Sequence, residues 1–147
     1  TDFTNYEEGI YVGYRWFDKE NISVSYPFGY GLSYSNYVYG DIKTESYTMH
    51  RGETLRLTID VTNDSDMDGM ETVQWYVRDP ASSITRPVKE LRHFEKRLIR
   101  KGETETFVLD IDADKHLSYV DCKGNRFVED GTYYIIVKDK TIKIELK

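Results

Sequence analysis

The stretch Glu53-Thr-Leu-Arg-Leu-Thr-Ile-Asp-Val-Thr62 decides the fold class, because apolar and polar side chains alternate along its whole length. A period of two residues is typical of a β-strand that buries one face and exposes the other. The side chains that share the apolar face are Leu55, Leu57, Ile59 and Val61. The stretch therefore predicts a strand that covers one side of a hydrophobic core.

Similar runs follow along the chain, and each alternates or is continuously apolar: residues 72–78, 104–111, 133–137 and 142–146. The run 133–137 is the continuously apolar one, which is typical of a central strand. Turn signals such as Asp130-Gly131 separate the runs. No segment carries a sustained apolar stripe of helical period, and at most residues 112–117 could form one helical turn. We therefore predict an all-β fold, an antiparallel β-sandwich of about seven short strands.

Composition narrows the classes of partner. The chain has 147 residues, enough for one domain with a core of its own. Its formal net charge of −6 disfavours nucleic acid, and no stretch is long and apolar enough to span a bilayer. The single cysteine, Cys122, excludes an internal disulfide framework. We expect neither nucleic acid nor a membrane as a partner.

The first 36 residues differ from the rest in their density of aromatic residues and glycines. Residues 10–17 predict one strand, which cannot bury itself alone and must add to another sheet or pack on the sandwich. The run Tyr26-Pro-Phe-Gly-Tyr-Gly-Leu-Ser-Tyr34 predicts a compact turn that holds large rings at its surface. We therefore divide the chain into a junction segment, residues 1–36, and a sandwich domain, residues 37–147.

Four motifs occur in order along the chain: Glu8-Gly-Ile-Tyr-Val-Gly-Tyr-Arg-Trp-Phe-Asp18, the aromatic run 26–34, Val73-Gln-Trp-Tyr-Val77 and Arg86-Pro-Val-Lys-Glu-Leu-Arg-His-Phe94. Together they resemble the end of family 3 glycoside hydrolases, the β-glucosidase and β-xylosidase family. The first two resemble the junction that leaves the α/β sandwich domain, and the last two resemble the C-terminal fibronectin type III-like domain. The resemblance implies an immunoglobulin/fibronectin type III-like sandwich with an N-terminal aromatic extension.

The resemblance also implies a function. In that family an Asp nucleophile on a barrel and an acid/base Glu on the α/β sandwich domain act as a retaining pair, and neither motif has a counterpart here. We therefore expect no catalytic residue in this chain. We expect an accessory domain that packs on the catalytic barrel and α/β sandwich domains of its parent chain and stabilises them. The expected parent is a β-glucosidase or β-xylosidase, periplasmic or secreted.

Seven side chains are candidates for contact with those domains or with sugar: Trp16, Phe17, Tyr26, Phe28, Tyr30, Arg86 and Lys89. Aromatic rings can anchor one domain on another, which is the interpretation we favour. The alternative is a carbohydrate-binding module that holds oligosaccharide or polysaccharide on exposed rings. Arg86 and Lys89 could pair with acids of the catalytic body, or belong to a charged edge strand that discourages aggregation. An adhesion or protein-interaction sandwich is the third alternative.

We expect neither a metal ion nor a cofactor. The three histidines, His50, His93 and His116, stand apart in the sequence without the spacing of ligands. The run Asn63-Asp-Ser-Asp-Met-Asp68 alternates oxygen-bearing side chains as calcium loops do, but it lacks their glycine and distal glutamate. We therefore interpret this run as a polar hairpin loop.

Overall fold

The computed structural model describes residues 9–121 and 123–147. Residues 1–8 of the predicted junction segment, and Cys122, lie outside the described residues. The elements along the chain are α1 (Tyr14–Lys19), β1 (Tyr37–Tyr39), β2 (Lys43–Thr44), β3 (Thr48–Met49), β4 (Thr54–Asn63), β5 (Gly69–Arg78), β6 (Glu90–Ile99), β7 (Thr104–Asp112), the π-helical turn Ala113–Leu117, β8 (Tyr119–Val120), β9 (Arg126–Phe127), β10 (Gly131–Val137) and β11 (Lys140–Leu146). No helix in this part of the chain is long and apolar enough to cross a bilayer.

One sheet is built around β4. Strand β7 pairs with β4 in antiparallel register from Thr54↔Asp112 to Thr62↔Thr104. The short strands β1 and β2 also pair antiparallel with β4. Since β7 occupies one edge of β4 along its length, β1 and β2 share the other edge.

The second sheet has the strand order β3-β11-β10-β5-β6. Its central strand is β10, as its continuously apolar sequence predicts, and β6 forms one edge. All pairs in this sheet are antiparallel except β11 with β3, which run parallel through Leu146↔Met49. A separate pair, β8 with β9, forms a small antiparallel ribbon beside the sandwich.

The core lies between the two sheets and consists of the inward side chains predicted from the alternating runs. The first sheet contributes Leu57, Ile59, Val61, Phe107 and Ile111. The second contributes Val73, Trp75, Tyr133, Ile135 and Ile144. Each fully buried side chain of this size stabilises the fold by roughly 1.5–3 kcal/mol relative to exposure. The predicted all-β sandwich is confirmed, with six long strands and five short ones in the described residues.

The prediction of a strand over residues 10–17 is wrong, because Tyr14–Lys19 forms the helix α1. Gly13 precedes it with φ 64°, a backbone angle outside the strand region. Tyr14 and Asp18 are both half-buried and four residues apart, so the contacts of this segment follow the helical period rather than a period of two. The segment packs on the sandwich, which was one of the two arrangements expected.

The β4–β5 connection crosses from one sheet to the other, so it does not close the predicted hairpin. Asn63 organises it from a fully buried position. Its amide Nδ2 donates to the carbonyl oxygens of Met67 and Ile99, each at 2.9 Å, and its Oδ1 accepts from the backbone N–H of Ser65 at 3.1 Å. The polar run is therefore held by one amide that bonds to two residues of the crossing and to the end of β6.

Candidate domain-docking surface

Helix α1 packs on the outer face of the second sheet at Tyr76. The Tyr14 ring lies edge-on to Tyr76 and tilted against Phe28, with centroid distances of 5.8 Å in both pairs. The Tyr14 hydroxyl accepts a hydrogen bond from the backbone N–H of Leu91, at 3.3 Å. Tyr76 points outward from β5, yet only 8% of it is exposed. Burial, followed by the neighbouring Tyr14, raises the pKa of Tyr76 to about 12.

An ion pair holds the end of α1 to the chain just before β6. Lys89 Nζ lies 3.3 Å from Asp18 Oδ1 and 5.3 Å from the centre of the Tyr76 ring. The other carboxylate oxygen of Asp18 is buried and has no hydrogen-bond partner among the described residues. Lys89, a predicted contact residue, is therefore engaged within this chain and fastens α1 to the sandwich.

The aromatic turn lies on the same outer face, directly over β5. A Cβ added to Gly29 would lie 2.7 Å from Nε2 of Gln74, and Gly29 has φ 86°. The Gln74 side chain could move aside, but the positive φ favours glycine at this position. The turn closes through a hydrogen bond from the N–H of Tyr30 to the carbonyl of Pro27, at 3.0 Å. The sequence thus places three large rings at the surface of a turn that is pressed onto the sheet.

Those rings stay largely exposed. Tyr26 and Tyr30 stack on each other with centroids 4.8 Å apart and an interplanar angle of 28°. The exposed fractions of Tyr26, Phe28 and Tyr30 are 69%, 63% and 64%. Trp16 and Phe17 are also exposed, on α1, but no aromatic pair among the described residues joins them to the turn.

Sequence reasoning missed Phe94, which lies beside the turn on the edge strand. Phe94 is paired in register with Gln74, the residue under Gly29, and 64% of it is exposed. Leu98 and Met70 form a further exposed apolar pair along the same face. The alternation of side chains along the strand could have identified it, because Phe94 and Leu98 lie on the face opposite to the buried Ile99. We define the outer aromatic patch as Tyr26, Phe28, Tyr30 and Phe94.

Arg86 does not belong to this patch. Its side chain is 6% exposed, and its guanidinium lies 3.1 Å from Asp79 Oδ2 and 2.7 Å from Glu90 Oε2. Burial alone would raise the pKa of Glu90, but the hydrogen bond from Arg86 and the charge of Arg92 outweigh it and hold that pKa below its usual range. Arg86 thus pairs with acids of its own domain, and its geometry does not favour the alternative in which it pairs with another domain.

The edge strand itself carries the expected charges. Strand β6 alternates outward Phe94, Lys96 and Leu98 with inward residues, and Arg97 pairs with Glu95 at 2.6 Å. Of the histidines expected to stand apart, His93 and His116 have rings 6.4 Å apart, edge to face. The described residues contain no cluster of three or more metal-binding side chains.

Comparison with known proteins places this geometry in a family. The family model "Fibronectin type III-like domain" matches residues 71–141. Over 99% of its length the chain is 36% identical to thermostable β-glucosidase B of Acetivibrio thermocellus, covering 19% of that protein. Over 90% it is 39% identical to an exo-α-(1→6)-L-arabinopyranosidase of Bifidobacterium longum, covering 17%.

A solved structure gives the same result. The family 3 glycoside hydrolase β-glucosidase of Bifidobacterium adolescentis superimposes with a TM-score of 0.81 and 33% identity, over 96% of this chain and 21% of that one. The chain thus spans about one fifth of the length of the relatives it matches. It belongs to the fibronectin type III-like domains of family 3 glycoside hydrolases, and is an accessory domain of such an enzyme together with the segment that precedes it.

Proposed function

We propose that this domain packs through the outer aromatic patch on the catalytic domains of its parent chain and stabilises them. The observation that carries the proposal is the exposure of four rings beside a face that α1 already covers in part. Tyr76 is shielded by Tyr14, whereas Phe94, on the adjacent strand, is open. The relatives are about five times as long as this chain, so a parent of similar length has further domains that can supply the covering surface.

The area of the patch suits an interface between domains of one chain. Aromatic side chains bury on the order of 200 Å² each, so four rings that are about two-thirds exposed offer on the order of 500 Å². Interfaces between domains of one chain bury roughly 600–1,500 Å² in total, counted over both sides. The patch therefore accounts for much of one side of such an interface.

The parent is inferred to be a retaining β-glycosidase of the β-glucosidase type, periplasmic or secreted. The names of the relatives support the activity, since most are β-glucosidases. Two relatives of similar identity are named as arabinopyranosidases, although each matches 90% of this chain. This supports a role in stabilising the enzyme and not in determining its sugar specificity.

The arrangement of the rings favours docking over sugar binding. Tyr26 and Tyr30 are stacked on each other, so one face of each ring is already in contact with the other. A row of rings that holds an extended oligosaccharide would instead present its faces side by side. Titration of the chain with cello-, xylo- and laminari-oligosaccharides, followed by NMR shifts, should show no saturable change at the patch; a saturable change there would favour the carbohydrate-binding role and oppose docking.

Single substitutions in the patch test the proposal. Tyr30→Ser and Phe94→Ser are made in the 147-residue chain and in the full-length parent, with Tyr47→Ser as the matched control. Tyr47 is exposed to the same degree, 63%, but lies beside β3 at the opposite edge of the sheet. We expect all three to leave the isolated chain within about 0.5 kcal/mol of its stability. In the parent, Tyr30→Ser and Phe94→Ser should lower the melting temperature more than Tyr47→Ser; equal effects would contradict the proposal.

A further inference from the structure

A cleft of about 250 Å³ opens on another part of the surface, between the N-terminal segment and the β8–β9 ribbon. Its walls include four arginines, from α1, the loop before β6, β6 itself and β9: Arg15, Arg86, Arg92 and Arg126. Glu90 is the one acidic side chain among its described lining residues. The cleft is smaller than pockets for drug-sized ligands, which span roughly 300–1,000 Å³. It therefore suits a single side chain or a single sugar-sized molecule.

Positive charge exceeds negative charge around this cleft. Arg86 is paired with Asp79 and Glu90, and Arg92 shares the same Glu90 oxygen at 2.7 Å. A third carboxylate nearby, Glu129, accepts a hydrogen bond from the backbone N–H of Ser83. Four arginines and one carboxylate thus line the cleft itself, in a chain whose net charge is −6.

Two of the arginines use their guanidinium groups only on neutral oxygens. Arg126 Nη1 donates to the carbonyl of Asp114 at 3.3 Å and to the hydroxyl of Ser118 at 3.2 Å. Arg15 Nη1 donates to the carbonyl of Ile10 at 3.5 Å. Within the described ranges, 9–121 and 123–147, neither forms an ion pair with a carboxylate.

A third arginine, Arg92, adds positive charge to the wall of the cleft beside Glu90. Arg92 Nε is buried and has no hydrogen-bond acceptor among the described residues. A buried donor without an acceptor is unfavourable, and a charged donor more so than a neutral one. Guanidinium N–H groups match the two oxygens of a carboxylate, in number and in plane, better than they match chloride.

We propose that this cleft is a carboxylate-binding site, in which the guanidinium groups of Arg126 and Arg15 hold one carboxylate group and the positive charge of Arg92 adds to their attraction. The carboxylate comes either from a small organic acid such as a sugar acid, or from an Asp or Glu side chain elsewhere in the parent chain. The proposal does not depend on the outer aromatic patch. Its residues and its readouts are separate from those of the docking proposal.

The first experiment uses the ¹⁵N-labelled 147-residue chain and follows the Nε–Hε NMR signals of its arginines. Sodium acetate and sodium glucuronate are titrated against sodium chloride at matched ionic strength. We expect saturable shifts of the Arg126 and Arg15 signals with both carboxylates and not with chloride. Shifts that increase linearly with carboxylate concentration without saturating, or that are equally large with chloride, would overturn the proposal.

Charge-matched variants locate the site. Arg126→Gln and Arg15→Gln should each weaken acetate binding, the former by about tenfold, since each charge-assisted hydrogen bond accounts for that much or more. Arg100→Gln, at an exposed position just after β6 and outside the cleft, should leave binding unchanged. Backbone NMR signals outside the cleft that are unchanged from the wild type would show that each variant is folded. Binding that survives both cleft substitutions in folded protein would overturn the proposal.

The full-length parent separates the two sources of the carboxylate. For a free organic acid, glucuronate should raise the melting temperature of the parent relative to chloride, and Arg126→Gln should abolish that increase. For a side chain of the parent, glucuronate should have no such effect, and Arg126→Gln should lower the melting temperature of the parent more than Arg100→Gln. If Arg126→Gln changes neither the effect of glucuronate nor the melting temperature of the parent, the cleft has no carboxylate partner in the parent and the proposal fails.

Discussion

Replacing Arg86 by methionine tests the ion-pair network between the ends of β5 and β6. Asp79 follows β5 directly and Glu90 begins β6, and the guanidinium of Arg86 bridges them at 3.1 and 2.7 Å. Methionine keeps much of the volume of the side chain but removes the charge and the donors. Asp79 then remains beside the core as a carboxylate without its counter-ion.

The burial of Arg86 and Asp79 determines how much stability the substitution should remove. The exposed fractions of the Arg86 and Asp79 side chains are 6% and 5%. Removing one partner of a buried ion pair costs about 3–5 kcal/mol. Because Arg92 still pairs with Glu90 at 2.7 Å, the loss should fall at the lower end, about 3 kcal/mol. For a domain of this size that lowers the melting temperature by about 6–12 °C.

The assay is urea unfolding of the 147-residue chain at pH 7, followed by far-UV circular dichroism and by tryptophan fluorescence, to which the buried Trp75 and the exposed Trp16 both contribute. Arg86→Lys keeps the charge without the forked donors, so an intermediate loss is expected. Arg100→Met removes a charge of the same sign at an exposed position and should cost less than about 0.5 kcal/mol. The reasoning is refuted if Arg86→Met costs less than about 1 kcal/mol, or no more than Arg100→Met.

Three further outcomes are expected. Asn63→Ala removes the hydrogen bonds of Asn63 to two carbonyls and from the Ser65 N–H, and should destabilise the chain by about 2–3 kcal/mol in urea. The exposed Asn125→Ala should not, and equal effects would contradict the role of Asn63. Because the pKa of Glu90 is lowered in the folded state, its stabilisation is complete above the ordinary value of 4.5 and is lost as pH falls below it. Urea unfolding at descending pH should therefore show a smaller loss in Arg86→Met than in the wild type, and parallel curves would speak against the assignment. In the full-length parent, Trp16→Ala should lower the melting temperature more than it alters sugar specificity; changed specificity at unchanged melting would oppose docking.

The strands could be predicted from the sequence because their signal is local. Burial on one face of a sheet imposes a period of two, and in β4 and β7 that period continues through the whole strand. Strand β5 begins at Gly69, three residues before the predicted run. There the alternation of polarity is reversed, since the outward residue, Met70, is apolar and the inward residue, Glu71, is an acid. The Glu71 carboxylate accepts a hydrogen bond from the hydroxyl of Tyr39 at 2.7 Å.

Helix α1 could not be predicted because its six residues are too few to form a stable helix alone. Contacts with other parts of the chain determine it, above all Tyr14 on Tyr76 and Asp18 with Lys89. Those partners lie more than 60 residues away in the sequence. The pattern of residues 10–17 therefore gives no information about these partners.

The candidate site was predicted in part. The aromatic turn was identified, since Gly29 and its neighbouring rings are a local signal, but the apolar extension through Phe94 depends on strand pairing. Arg86 was expected at the surface, because a basic loop before an edge strand usually faces solvent. Its burial depends on the side chains of Asp79 and Glu90, which converge only when the loop between β5 and β6 is folded.

Hydroxyl-radical footprinting of the isolated chain and of the full-length parent tests the docking proposal most directly, because it reports the solvent exposure of individual side chains. In the isolated chain, Tyr30, Phe94 and the control Tyr47 should react at comparable rates after correction for residue type, as their exposed fractions of 64%, 64% and 63% require. In the parent, Tyr30 and Phe94 should be protected while Tyr47 stays reactive. Equal reactivity of Tyr30 and Phe94 in both proteins would contradict the account.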